Sequence, residues 1–230
     1  MNESDTVPIK IIVVGSINVG KTSLVAKYAT GKNPGKTQST QNASYVDKIK
    51  IVNGIKFEIK LWDTAGQEKY KSLTKLFIKD AKIAILVYSI DNEQSFNDLD
   101  EWLNAIKSVN NDNIILYGIA ANKFDLASEN TIPDEKGKEY AKKIGADWRL
   151  TSAILDGGGI EEFIDDLFIK YHNNNFKLNE TESATGSLSI TLSNENSKVE
   201  KKTCCGGSKV ESNNDKNKKH KKNDSEKIKE

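Results

Sequence analysis

Ile9-Lys10-Ile11-Ile12-Val13-Val14-Gly15-Ser16-Ile17-Asn18-Val19-Gly20-Lys21-Thr22-Ser23 runs from an apolar segment into a loop spaced G-x-x-x-x-G-K-T. That spacing makes a phosphate-binding loop. Its glycines let the backbone curl so that successive N–H groups, from Gly15 through Asn18, Val19 and Gly20, face phosphate oxygens. Lys21 adds a charge for the β- and γ-phosphates, and the Thr22 hydroxyl can ligate Mg²⁺. A helix starting at Lys21 turns its positive dipole end toward the same anion. The context agrees: a strand-like run enters the loop, and Ser23–Tyr28 leaves it in helical pattern.

The chain of 230 residues holds one α/β domain of ordinary size and something extra. Its 34 basic and 33 acidic residues nearly cancel, which argues against a nucleic-acid binder. The basic excess lies after Asn174. The two cysteines are adjacent, Cys204 and Cys205, so no disulfide framework is expected and the pattern suits a reducing compartment. The acidic start Met1-Asn2-Glu3-Ser4-Asp5 does not read as a secretory leader. Asn2 stands where N-myristoylation needs glycine. No apolar run approaches the ~20 residues that span a bilayer. A cytoplasmic location is expected.

Ile83–Tyr88 and Ile114–Ala120 are short and almost wholly apolar, as central parallel strands are. Lys48–Val52 and Lys56–Trp62 flank Asn53-Gly54, a two-residue hairpin signal that puts an antiparallel pair at a sheet edge. Phe96–Val109 carries a helical stripe of Phe96, Leu99, Trp102, Leu103 and Ile106. Asp134–Ile144 and Ile160–Tyr171 also read as helices. Trp102 and Trp148 read as packing residues, His172 and His220 as solvated. Residues 1–173 form the expected domain. Residues 174–230, polar and poor in large apolar side chains, form an expected disordered tail. Within it, Leu188–Leu192 alternates like a strand and reads as a partner-docking segment.

Two further motifs define the site. Trp62-Asp63-Thr64-Ala65-Gly66-Gln67-Glu68 ends a strand beside the phosphate loop. There Asp63 can hold Mg²⁺ through water, the Gly66 N–H can reach a γ-phosphate, and Gln67 can orient an attacking water as the catalytic residue. Asn122-Lys123-Phe124-Asp125 follows the Ile114–Ala121 run. A fixed carboxylate at Asp125 accepts hydrogen bonds from guanine N1 and N2, where adenine has no matching donors, which argues against an ATP-using enzyme. Thr151-Ser152-Ala153 follows strand-like Trp148–Leu150 and can offer backbone N–H groups to guanine O6.

In these motifs the chain resembles a small GTPase of the Ras superfamily, and most closely the Rab branch, over roughly Ile9 to Tyr171. Trp62–Tyr70 is the most Rab-like stretch. The resemblance implies the P-loop fold of small GTPases: a six-stranded, mostly parallel sheet with one antiparallel edge strand and about five flanking helices. It also implies switch loops ordered by GTP and reset by hydrolysis. Thr40 would ligate Mg²⁺ only with GTP bound, completing the metal set of Thr22, Thr40 and Asp63. Tyr45, Trp62 and Phe77 match an aromatic triad through which Rabs contact effectors; as a bland alternative, they pack the hairpin. Expected partners are a guanine-nucleotide exchange factor, a GTPase-activating protein and effectors. The protein is expected to be a monomer regulating vesicle traffic. The competing reading is a slowly hydrolysing, GTP-bound scaffold.

Four positions depart from that family's pattern. Ile17 replaces a small residue beside the γ-phosphate, and Asn33 replaces the aromatic that covers the guanine ring. Gln41-Asn42 follows Thr40 where Ile-Gly is usual, and Ile154 replaces a lysine beside the base. The tail departs too. Thr203-Cys204-Cys205 resembles a Rab prenylation ending, but the chain continues to Glu230, whereas prenylation reads cysteines near the C-terminus. Three readings stay open: a tail trimmed back to the cysteines, S-acylation of Cys204 or Cys205, or a soluble protein recruited by partners. S-acylation helped by the basic run Lys216–Lys222 would give peripheral attachment to a cytoplasmic membrane face.

Overall fold

The computed structural model describes residues 6–35, 40, 43–64, 77–109, 116–128 and 131–175, and the backbone of 202–203. Strand β1 (Thr6–Val14) leads into the phosphate loop and helix α1 (Lys21–Thr30). Strands β2 (Ser44–Val52) and β3 (Ile55–Asp63) form the hairpin. Then come β4 (Ile83–Ser89), α2 (Glu93–Asn97), α3 (Leu99–Val109), β5 (Leu116–Asn122), α4 (Asp134–Ile144), β6 (Asp147–Thr151), α5 (Ile160–Asn175) and β7 (Lys202–Thr203). The sheet order is β6-β5-β4-β1-β3-β2-β7. β2 runs antiparallel to β3, and β6, β5, β4, β1 and β3 are mutually parallel.

The hairpin turns at Asn53 and Gly54, both at positive φ (50° and 78°), as a type I′ turn requires. It is longer than its apolar core suggested, because cross-strand pairing continues to Ser44↔Asp63. β4 is buried at every position, and its side chains alternate between two layers. Ile83, Ile85 and Val87 join Leu24, Tyr28, Phe163 and Phe168 on the α1/α5 face. Ala84, Leu86 and Tyr88 join Leu99, Trp102, Ile106 and Ala141 on the α2–α4 face. Helices on both faces thus explain the unbroken apolar strands. Pro8 lies in β1 before the pairing with β4 begins at Ile11, where the strand has only one neighbour.

Two expectations need correction. The stripe expected as one helix over Phe96–Val109 belongs to two, broken at Asp98 and starting earlier, where the Asn92 side chain caps the Ser95 N–H. His172 is not solvated: it is 1% exposed, with its ring edge-on to Phe57 at 5.5 Å, because α5 continues to Asn175 and carries it against β3. Lys202–Thr203 of the tail adds a short strand to the outer edge of β2, antiparallel at Ser44↔Thr203 and Tyr45↔Lys202. Trp102 is a core residue as expected, and Trp148 packs against the same core. Leu188–Leu192, His220, Lys216–Lys222, Cys204 and Cys205 lie outside the described residues.

Candidate nucleotide site

The loop between β1 and α1 needs its glycines for reasons visible in three dimensions. A Cβ on Gly15 (φ 146°) would sit 2.2 Å from the Val87 carbonyl oxygen, so only glycine lets the loop leave β1 beside β4. A Cβ on Gly20 (φ 93°) would sit 2.4 Å from Asn122 Nδ2. Asn18 takes the left-handed conformation between them (φ 63°). Val19 is buried and Ile17 is 39% exposed.

Lys21 is folded back into this loop, 5% exposed, donating to the carbonyls of Gly15 (2.8 Å) and Ser16 (2.9 Å). Burial lowers its pKa to about 8, and the Asp63 carboxylate opposes that shift. An ammonium held this way by carbonyls can transfer its N–H bonds to incoming phosphate oxygens.

β1 pairs with β3 as far as Val13↔Asp63, so the end of β3 lies beside the loop. Thr22 Oγ1 lies 2.5 Å from Thr40 Oγ1, and Thr40 Oγ1 donates to Asp63 Oδ2 at 3.3 Å. The adjacent Thr64 hydroxyl is bonded to the Val13 carbonyl (2.7 Å), which locks the strand end. Two hydroxyls and one carboxylate form an oxygen-only donor set. That chemistry fits Mg²⁺, which takes few protein ligands and completes its shell with phosphate oxygens and water. Among the described residues no cluster of three or more His, Cys, Asp or Glu suits another metal. Ser23 lies in the first turn of α1. Gly66 and Gln67 lie outside the described residues.

The base end is assembled from two loops. Asn122 ends β5, and its amide donates to the Val19 carbonyl (2.7 Å) while its oxygen accepts from Thr151 Oγ1 (3.3 Å). It therefore braces the phosphate loop against β6, a role its place in a base-reading motif did not announce. Lys123 takes the left-handed conformation (φ 64°), a strained state that clusters at functional sites. Asp125 accepts from Ser152 Oγ at 2.5 Å. The same hydroxyl accepts the N–H groups of Ile154 and Leu155 at 3.2 Å. The Ser152 N–H is bonded to Gly158 O (2.8 Å), so Ser152 serves through its hydroxyl, as the support of Asp125. Ala153 beside it is buried, while Ile154 is 56% exposed.

Two contacts tie this loop to the end of α1: Asn33 Nδ2 to the Ile154 carbonyl (3.4 Å), and Lys27 Nζ to Asp156 (3.5 Å). Nothing in the local sequence signals the Thr151 or Asp156 contacts, because each partner lies far away along the chain. Tyr45 and Trp62 stack across the hairpin with centroids 4.7 Å apart, and Trp62 and Phe77 lie 5.7 Å apart. All three are partly exposed, so the rings pack together and still present a face.

The chain has relatives among known proteins. The Ras family model matches residues 10–182. The Ras-related protein Rab-21 of Geodia cydonium is 38% identical over 160 residues, covering 70% of this chain and 69% of its own. Homo sapiens Rab-21 is 36% identical over 158 residues, covering 69% of each chain. Homo sapiens Rab-30 is 30% identical over 198 residues, covering 85% of this chain and 94% of its own.

Proposed function

This chain belongs to the Ras family as a Rab-like small GTPase, and from that premise we propose that it is a guanine-nucleotide switch in membrane traffic that hydrolyses GTP with Mg²⁺. The observation that carries the chemistry is the convergence of Thr22, Thr40 and Asp63 oxygens beside a loop that buries Lys21. Loop N–H groups and the start of α1 receive the phosphates, and Lys21 exchanges its two carbonyl partners for phosphate oxygens. Thr22, Thr40 and Asp63 would hold Mg²⁺, which when bound neutralises charge on the β- and γ-phosphate oxygens. Asp125, steadied by Ser152, accepts from guanine N1 and N2. Lys123 belongs to the same base-binding motif, and the Ala153 N–H donates to O6.

Gln67 orients the attacking water, and Gly66 donates to the γ-phosphate. Loss of that phosphate releases Thr40. An exchange factor, an activating protein and effectors read this cycle, the effectors through Tyr45, Trp62 and Phe77. Cys204 and Cys205, with the basic run Lys216–Lys222, supply peripheral attachment to a cytoplasmic membrane face. Among the described residues no helix is long and apolar enough to cross a membrane. The GTP-bound scaffold reading finds no support among the relatives.

Single-turnover assays with purified full-length protein test this reading. Guanine nucleotides should bind with Mg²⁺ in strong preference to ATP, and bound GTP should convert to GDP and phosphate. Gln67→Leu should slow that step, and Ile17→Gly should speed it by about tenfold, or ~1.4 kcal/mol of barrier, by making room for the water. Equal affinity for ATP and GTP would overturn the assignment.

A further inference from the structure

The phosphate loop is pinned from outside at two points. Asn122 holds its helix end through the Val19 carbonyl. At the strand end, the buried Ser16 hydroxyl donates to Asp98 Oδ2 at 2.6 Å, from a residue 82 positions away in the chain. Ser16 also supplies one of the carbonyls that hold Lys21.

Asp98 is well placed to act as a fixed post. It stands at the break between α2 and α3. Its N–H is bonded to the Gln94 carbonyl (2.9 Å), and its own carbonyl accepts from the N–H groups of Glu101 (3.1 Å) and Trp102 (3.2 Å). Its second carboxylate oxygen accepts from Gln94 Nε2 at 2.7 Å. Leu99 and Trp102, just beyond it, are buried in the core. Both carboxylate oxygens are therefore occupied, and the backbone that carries them is anchored. A hydroxyl donating to a carboxylate at this distance makes a charge-assisted bond, stronger than a neutral one.

We propose that Asp98 is a positioning residue of the nucleotide site, acting through Ser16 to pre-set the first half of the phosphate loop. The proposal rests on reading this loop as a GTP site. Ser16 lies between Gly15 and the exposed pair Ile17 and Asn18, so releasing its side chain frees that half of the loop. Its N–H groups then have to be ordered when nucleotide binds, and affinity is lost. Ile17 reads as lying beside the γ-phosphate, so GTP should lose more than GDP.

The test uses full-length protein and measures GTP-analogue and GDP dissociation together with thermal unfolding. Ser16→Ala and Asp98→Ala should each weaken the GTP analogue by roughly tenfold and GDP by less, and the double variant should be no worse than the poorer single. Asp98→Asn, which keeps an acceptor and the side-chain shape, should recover most of the affinity. It also reports on the site should the alanine variant fail to fold. Additive losses would overturn the proposal. So would an unchanged affinity, or equal losses of GTP and GDP that simply track the melting temperature. Failure of wild type itself to bind guanine nucleotides would instead break the reading beneath it.

Discussion

At the phosphate end of the cleft the backbone carries the design. Gly15, Asn18 and Gly20 adopt positive φ, and a Cβ would meet the β4 backbone at Gly15 and the Asn122 side-chain amide at Gly20. At the base end, side chains carry it. Asp125 is held by the Ser152 hydroxyl, and the loop that follows is tied to α1 through Asn33 and Lys27. The first kind of site tolerates little change at its glycines, where packing shapes the peptide backbone. The second tolerates substitution, because a side-chain tie such as Asn33 to the Ile154 carbonyl can be replaced by another without moving the backbone. One end is a mould and the other is a set of ties.

The sharpest way to break this comparison is Asp125→Asn, which exchanges an acceptor for a donor at the base edge. Two hydrogen bonds to a charged group are worth ~1.5–3 kcal/mol each. The preference for GTP over ATP should therefore fall by roughly 10²–10⁴-fold, while phosphate contacts persist. Competition binding with both nucleotides measures it, and an unchanged ratio would remove Asp125 from base recognition.

A smaller effect is expected at Asn33. A side-chain amide hydrogen-bonded to the exposed Ile154 backbone covers a base less well than an aromatic ring does. Stacking is worth about 1–3 kcal/mol, so Asn33→Phe should slow GDP release by roughly 5- to 150-fold. Stopped-flow displacement of a fluorescent GDP reads it directly. No change would mean that the Asn33–Ile154 tie already closes the site.

The mildest expectation concerns pH at the phosphate end. In the ligand-free protein burial brings Lys21 to about 8, and phosphates raise it by stabilising the ammonium. Below pH 8 the ammonium is present before and after binding. Above it, binding must take up a proton, so GDP affinity should fall by at most tenfold per pH unit as pH rises. The ligand-free fold behaves oppositely. The unfolded chain holds more protons between about 8 and the ordinary value of 10.5, so folding stability contributed by Lys21 increases through that window. Titration calorimetry across pH 7–9.5 checks the first, and denaturant melts check the second. GDP affinity flat across that range would show that Lys21 keeps its proton throughout.

Local order and composition determined a good deal of this protein. Strand, glycine loop and helix appear in sequence as β1, Gly15–Gly20 and α1, because steric freedom, apolar runs and helical periodicity are properties of neighbouring residues. The Asn53-Gly54 turn is legible for the same reason, and so are the three motifs that ring the cleft. Tertiary structure alone decided the contacts that cross the chain. Asn122 braces Val19, Ser16 reaches Asp98, and Asn33 meets Ile154 over a separation of 121 positions. His172 looked solvated in a run of asparagines, yet one more turn of α5 buries it against Phe57. The edge of β2 received a strand from Lys202–Thr203, more than 150 positions further along the chain. A side chain's partner depends on where sheet order and helix packing bring distant segments together, and no local pattern of residues encodes that distance.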